Sequence, residues 1–203
     1  MVDYTKKRSK EEFLEWISDW LNANASGLCD VLSFLKREDP YDKKMYEEAI
    51  PVFLYVKNCL GDDIEVQMSE GNDNYDAQIF TSSGLLENIE VTVAIEKNEH
   101  KKRKALSKDR LSPREFFDLA AKETPEHYVN TIQTVVQKKK LKSYPTPTTL
   151  IVPLSANVVC DDPSIFQELC ERVRGDITEH PCQRIVLVER VGLFWDFVYC
   201  KMN

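Results

Sequence analysis

Histidine and glycine are scarce in this chain, with three of the first and six of the second among 203 residues, and their scarcity closes off several chemistries. His100, His127 and His180 are not spaced to share one helix face, and the six cysteines, Cys29, Cys59, Cys160, Cys170, Cys182 and Cys200, include no Cys-x-x-Cys pair. Neither a zinc site nor a disulfide framework is expected, and the cysteines read as packed, reduced thiols. The glycines form no Gly-x-x-x-x-Gly-Lys phosphate loop, no Gly-x-Gly-x-x-Gly dinucleotide turn and no Gly-x-Ser-x-Gly elbow. Ser155 and His180 make no triad, so nothing recommends nucleophilic hydrolysis.

Long apolar runs are missing as well. The longest, Ala49 to Val56, is interrupted by Pro51 and falls far short of the about 20 residues that cross a bilayer. Met1 to Lys10 is charged and leads into a helical pattern without the apolar stretch of a secretory signal, so no membrane contact and a cytoplasmic location are expected. No low-complexity linker divides the chain, and its 42% hydrophobic content suffices for one core. A single domain over 1–203 is expected, with helices over 1–40, a central unit over 41–155, and a helix and two strands over 156–203.

The net charge of −7 argues against a surface that grips nucleic acid everywhere. Its distribution is uneven. Lys97 to Arg114 holds eight lysines or arginines against Glu99 and Asp109, a balance of +6 that leaves −13 for the remainder. The segment reads as a basic face for DNA or RNA, through Lys97, Lys101, Lys102, Arg103, Lys104, Lys108 and Arg110, with Lys138 and Lys139 added from a later helix. Aromatics are absent between Lys101 and Arg110, which favours phosphate contact over base stacking. The acidic body leaves room for a protein partner instead.

Periodicity orders the elements. Ser9 and Glu12 form a capping box before Phe13, Trp16, Ile17 and Trp20 at helical spacing, a second helix is expected from Ser26 to Lys36, and a third starts at Pro40 and runs toward Leu60, kinked at Pro51. The period then shortens. Ile64 to Met68, Tyr75 to Thr81 and Ile89 to Ile95 read as three strands of an antiparallel meander, each preceded by turn residues. A short helix at Ser112 and a longer one from Thr124-Pro125-Glu126 to the lysine run at Lys138 follow, the latter with Val129, Ile132, Val135 and Val136 on its core face. Thr149 to Leu154 reads as a buried strand, Asp162-Pro163 starts a helix, and Arg184 to Glu189 and Phe194 to Cys200 close the chain as strands. The fold class is α/β, a helical amino-terminal segment followed by a mixed sheet flanked by helices.

Chemistry is expected where carboxylates meet the sheet. Asp76 near the start of the second meander strand and Glu90 on the third flank the turn at Gly84, and Glu47 or Glu48 lies on the preceding helix. Such oxygen donors suit Mg²⁺ or Mn²⁺, which activate water and neutralise charge on a phosphodiester.

In Tyr75-Asp76-Ala77-Gln78-Ile79 and Ile89-Glu90-Val91-Thr92-Val93, set in the order helix, three strands, helix, strand, the chain resembles the PD-(D/E)XK nuclease superfamily over roughly 41–155. The resemblance implies a restriction-endonuclease-like mixed sheet. It also implies hydrolysis of DNA or RNA, with Asp76, Glu90 and an auxiliary Glu47 or Glu48 as ligands of Mg²⁺ or Mn²⁺. Thr92 occupies the place of the family's lysine, so the positive charge must come from Lys97, Lys138 or Lys139, or else the chain is an inactive nuclease-fold binding or inhibitory module.

Overall fold

The computed structural model describes residues 3–25, 40–71, 73–94, 105, 125–153, 171–173, 181–191 and 194–202. The expected helices at Ser26–Lys36 and at Ser112, most of the one begun at Asp162, and the basic residues Lys97, Lys101, Lys102, Arg103, Lys104, Lys108 and Arg110 lie outside the described residues.

Seven strands form one mixed sheet in chain order: β1 (Arg8–Ser9), β2 (Glu65–Met68), β3 (Ala77–Thr81), β4 (Gly84–Val91), β5 (Thr148–Pro153), β6 (Arg184–Val191) and β7 (Phe194–Met202). Pairing is antiparallel from β1 to β4, parallel from β4 through β6, and antiparallel at β7. β1 carries no strand signature, and pairs with β2 only because it leads directly into the first helix.

Three helices lie on one face: α1 (Lys10–Ala25), α2 (Pro40–Lys44) and α3 (Ile50–Cys59). The capping box is formed, with the Glu12 N–H donating to Ser9 Oγ at 3.2 Å and the Ser9 N–H donating to Glu12 Oε2 at 3.1 Å. Between α2 and α3, Met45–Ala49 forms a π-helical turn, closed by the Ile50 N–H reaching back to the Met45 carbonyl. The helix is therefore widened ahead of Pro51 rather than broken there. Pro51 has no N–H for the Glu47 carbonyl and its ring would crowd that carbonyl, a conflict that an extra residue in the preceding turn relieves.

A further helix, α4 (Pro125–Lys140), covers the opposite face. Alternation along β5 and β6 feeds both layers: Ile151, Val186 and Val188 pack with α1 and α3, whereas Leu150, Val152, Ile185 and Leu187 pack with Val129, Ile132 and Val136 of α4. The face of β4 that carries Glu90, continued past the strand by Ala94, lies under α4, and Glu90 is only 6% exposed.

The third meander strand starts earlier than its β-branched run suggests. A two-residue turn at Ser82-Ser83 joins Thr81 to Gly84, whose φ of +118° only glycine adopts without strain. Regular strand ends at Val91. The ladder continues, however, through the N–H groups of Thr92 and Ala94, which donate to the Ile151 and Pro153 carbonyls at 2.9 and 3.0 Å.

A buried polar network pins α3 to the sheet. Tyr55 donates from its hydroxyl to Glu87 Oε1 at 2.8 Å, Thr149 donates to the other Glu87 oxygen, and Arg184 donates to the Tyr55 hydroxyl. Each Glu87 oxygen thus has a donor, as a carboxylate at 8% exposure requires.

Candidate active site

Asp76 sits one residue before β3, one step beyond the registered pair Ala77 and Ile89, and so stands opposite Glu90. Two hydrogen bonds hold it there. Its N–H donates to the Ile89 carbonyl at 2.7 Å, and its Oδ2 accepts the Val91 N–H at 2.7 Å, so the Asp76 backbone is tied to one neighbour of Glu90 and its carboxylate to the other. Burial pushes the Asp76 carboxyl up to about 6 from 3.8; the Val91 N–H opposes the rise, nearby Glu90 adds to it, and Lys139 and Lys142 offset it.

The cations come from the end of α4. Lys139 lies three residues after Val136 and seven after Ile132, on the stripe that packs against the sheet, and its ammonium is ion-paired with Glu90 Oε1. The Lys142 ammonium lies 3.6 Å from the same oxygen. Lys138, one position earlier, is exposed. Of the replacement lysines, the structure brings Lys139 to the carboxylates and leaves Lys138 outside, while Lys97 falls outside the described residues. Thr92 is half-buried, and its N–H is spent on β5.

The π-helical turn decides between the two glutamates. Glu47 lies 3.8 Å from Lys43 on its own helix, whereas Glu48 is within electrostatic reach of Asp76 and accepts the Tyr4 hydroxyl at 3.3 Å. Burial first, then the Asp76 charge, push the Glu48 carboxyl up to about 7, with Lys44 and Tyr4 working against them. Tyr4 is itself held far above its ordinary range by burial and by the charges of Glu48 and Asp76.

Two further groups crowd the pair from the α4 side. The Tyr144 hydroxyl is shielded and has no hydrogen-bond partner among the described residues, and burial with the Glu90 charge raises its pKa. Cys182 is fully buried, its thiol pushed up to about 12 by burial and by Glu90.

No protein-family model, curated protein or solved structure matches the chain. The site therefore rests on its own geometry.

That geometry is a carboxylate pair, Glu90 buried and Asp76 half-buried, a third carboxylate within electrostatic reach, and two ammonium groups beside one Glu90 oxygen. Among the described residues, no group of three or more His, Cys, Asp or Glu side chains converges closely enough to hold a metal ion. Asp76 and Glu90 remain a hard-oxygen pair of the kind that holds Mg²⁺ alongside water and a substrate phosphate. Also among the described residues, no helix is long and apolar enough to cross a membrane.

Tyr4, Lys142, Tyr144 and Cys182 were not singled out by sequence reasoning. Helical counting from Val136 could have marked Lys139 over its neighbours. Nothing local points to Tyr4, which reaches Glu48 from 44 positions away.

Proposed function

We propose that this chain is a metal-dependent phosphodiesterase acting on DNA or RNA, with a PD-(D/E)XK-like core over 41–155 whose motif lysine has moved from β4 to α4. The observation that carries this reading is the pairing of Lys139 with Glu90 opposite Asp76. It provides a half-buried positive charge beside the two carboxylates, the element that Thr92 leaves out. The run of helix Pro40–Cys59, antiparallel β2 to β4, α4 and β5 supports it by matching the order that the resemblance implies.

Asp76 and Glu90 would hold Mg²⁺ or Mn²⁺, with Glu48 as auxiliary donor; when bound, the ion supplies Lewis acidity and offsets charge on the phosphodiester. The protein's own groups do the positioning. The Val91 N–H fixes the Asp76 carboxylate, and Lys139 holds Glu90 while presenting a cation to the attacking water or a phosphate oxygen. The basic segment Lys97–Arg114 is the proposed grip on the phosphate backbone.

Cleavage of single- and double-stranded DNA and RNA in Mg²⁺ or Mn²⁺ tests the reading, with Asp76→Ala and Glu90→Ala compared after both are shown to fold. Loss of cleavage in both variants and in chelator is expected. No cleavage by the wild type on any substrate would reject the reading. A binding or inhibitory module would then stand, favoured by Thr92 and by the −13 carried outside Lys97–Arg114.

A further inference from the structure

Glu90 Oε1 has more cation beside it than its charge requires. One ammonium balances a carboxylate, yet Lys139 is ion-paired with this oxygen and the Lys142 ammonium lies 3.6 Å from it. Both are also within electrostatic reach of Asp76. Two carboxylates therefore face two ammonium groups, together the charge that one divalent ion would bring to the same pair.

The two lysines are held differently. Lys139 belongs to α4, donates a hydrogen bond to Glu90 and has a side chain only 17% exposed. Lys142 follows the helix end, in a turn closed by its own N–H donating to the Lys139 carbonyl at 3.0 Å, and its side chain is 57% exposed. Leu141 and Ser143 on either side of it are exposed as well. At 3.6 Å its contact with Glu90 is an ion pair without a hydrogen bond. Leaving Glu90 therefore costs Lys142 little, since its ammonium moves into water and no packing is undone, whereas Lys139 would give up a shielded, hydrogen-bonded position. We propose that Lys142 is the displaceable counter-ion of the carboxylate pair: it competes with Mg²⁺ or Mn²⁺ for Glu90 and withdraws when the ion binds, while Lys139 stays. The affinity of the pair for a divalent ion is then set by Lys142. This deepens the phosphodiesterase reading and rests on it for the identity of the ion.

The test is Mn²⁺ binding by the full chain without nucleic acid, followed through the electron paramagnetic resonance of free Mn²⁺. Wild type is compared with Lys142→Gln, Lys142→Arg and Lys138→Gln, the last removing an exposed lysine from the same helix end. Lys142→Gln should bind about tenfold tighter, the scale of taking one like charge from beside a partly shielded ion. Lys142→Arg should stay near wild type, and Lys138→Gln should change little. Adding Glu90→Gln to Lys142→Gln should abolish the gain. Binding by Lys142→Gln no tighter than by Lys138→Gln, a gain that survives Glu90→Gln, or no Mn²⁺ binding by wild type and Lys142→Gln alike, overturns the proposal. Tighter Mn²⁺ binding by Lys142→Gln in a chain that cleaves no nucleic acid would remove the phosphodiesterase reading and leave the counter-ion standing. Cleavage by wild type with a Mn²⁺ affinity indifferent to Lys142 would do the reverse.

Discussion

Glu90 is 6% exposed and has a lysine on one oxygen, so the pair behaves as a unit. Taking away the lysine alone strands a buried carboxylate, although Lys142 at 3.6 Å limits the loss. Lys139→Met should cost about 2 kcal/mol in chemical denaturation, and Lys139→Met/Glu90→Gln should recover most of it. Equal losses in the single and double variants would mean that the pair does not hold the strand end. The Asp76 and Glu48 carboxyls, raised to about 6 and about 7, keep their protons in the folded chain after the unfolded chain has released them. Their contribution to stability is fully present only below the ordinary values of 3.8 for Asp76 and 4.5 for Glu48, and is lost as pH rises through about 6 and about 7. In the absence of divalent metal, Asp76→Asn should therefore melt above the wild type at pH 8 and level with it near pH 4.

The helices and strands differ in how plainly the chain announces them. α1 was legible because Ser9, Glu12, Phe13 and Ile17 act locally, through a cap and an apolar stripe. The antiparallel run of β2, β3 and β4 was legible from alternation and turns, and with it the juxtaposition of Asp76 and Glu90. β1 was not, since Arg8 and Ser9 pair through tertiary placement alone. Lys139 was a candidate alongside Lys97 and Lys138, but the run Lys138-Lys139-Lys140-Leu141-Lys142 does not show by its composition which lysine turns toward the sheet. The preference for Glu48 over Glu47 depends on the π-helical turn before Pro51, whose trace in sequence is the proline itself. At this scale Tyr55 locks α3, the helix that continues from that turn, onto β4, β5 and β6. Tyr55→Phe leaves a Glu87 oxygen without its donor and should cost about 1–2 kcal/mol by denaturant unfolding.

Across the whole molecule, one sheet is packed on both sides, and the proposed centre lies where α4 on one face and the Glu48 turn on the other converge on the ends of β3 and β4. Packing and chemistry are thereby coupled. Ile132, fully buried on the sheet-facing side of α4, seats the helix from which Lys139 reaches Glu90. Ile132→Ala should cost about 2–4 kcal/mol and lower cleavage more than its stability loss explains, measured at a temperature where the variant stays folded. The central claim is that a cation from α4 does the work of the lysine that Thr92 replaces. Its most direct test is the single-turnover rate of nucleic-acid cleavage in Mn²⁺ for wild type, Lys139→Gln and Lys139→Arg. The account predicts cleavage by wild type, a fall of about a hundredfold or more in Lys139→Gln and partial rescue in Lys139→Arg. Cleavage undiminished in Lys139→Gln, or none by the wild type, would contradict it.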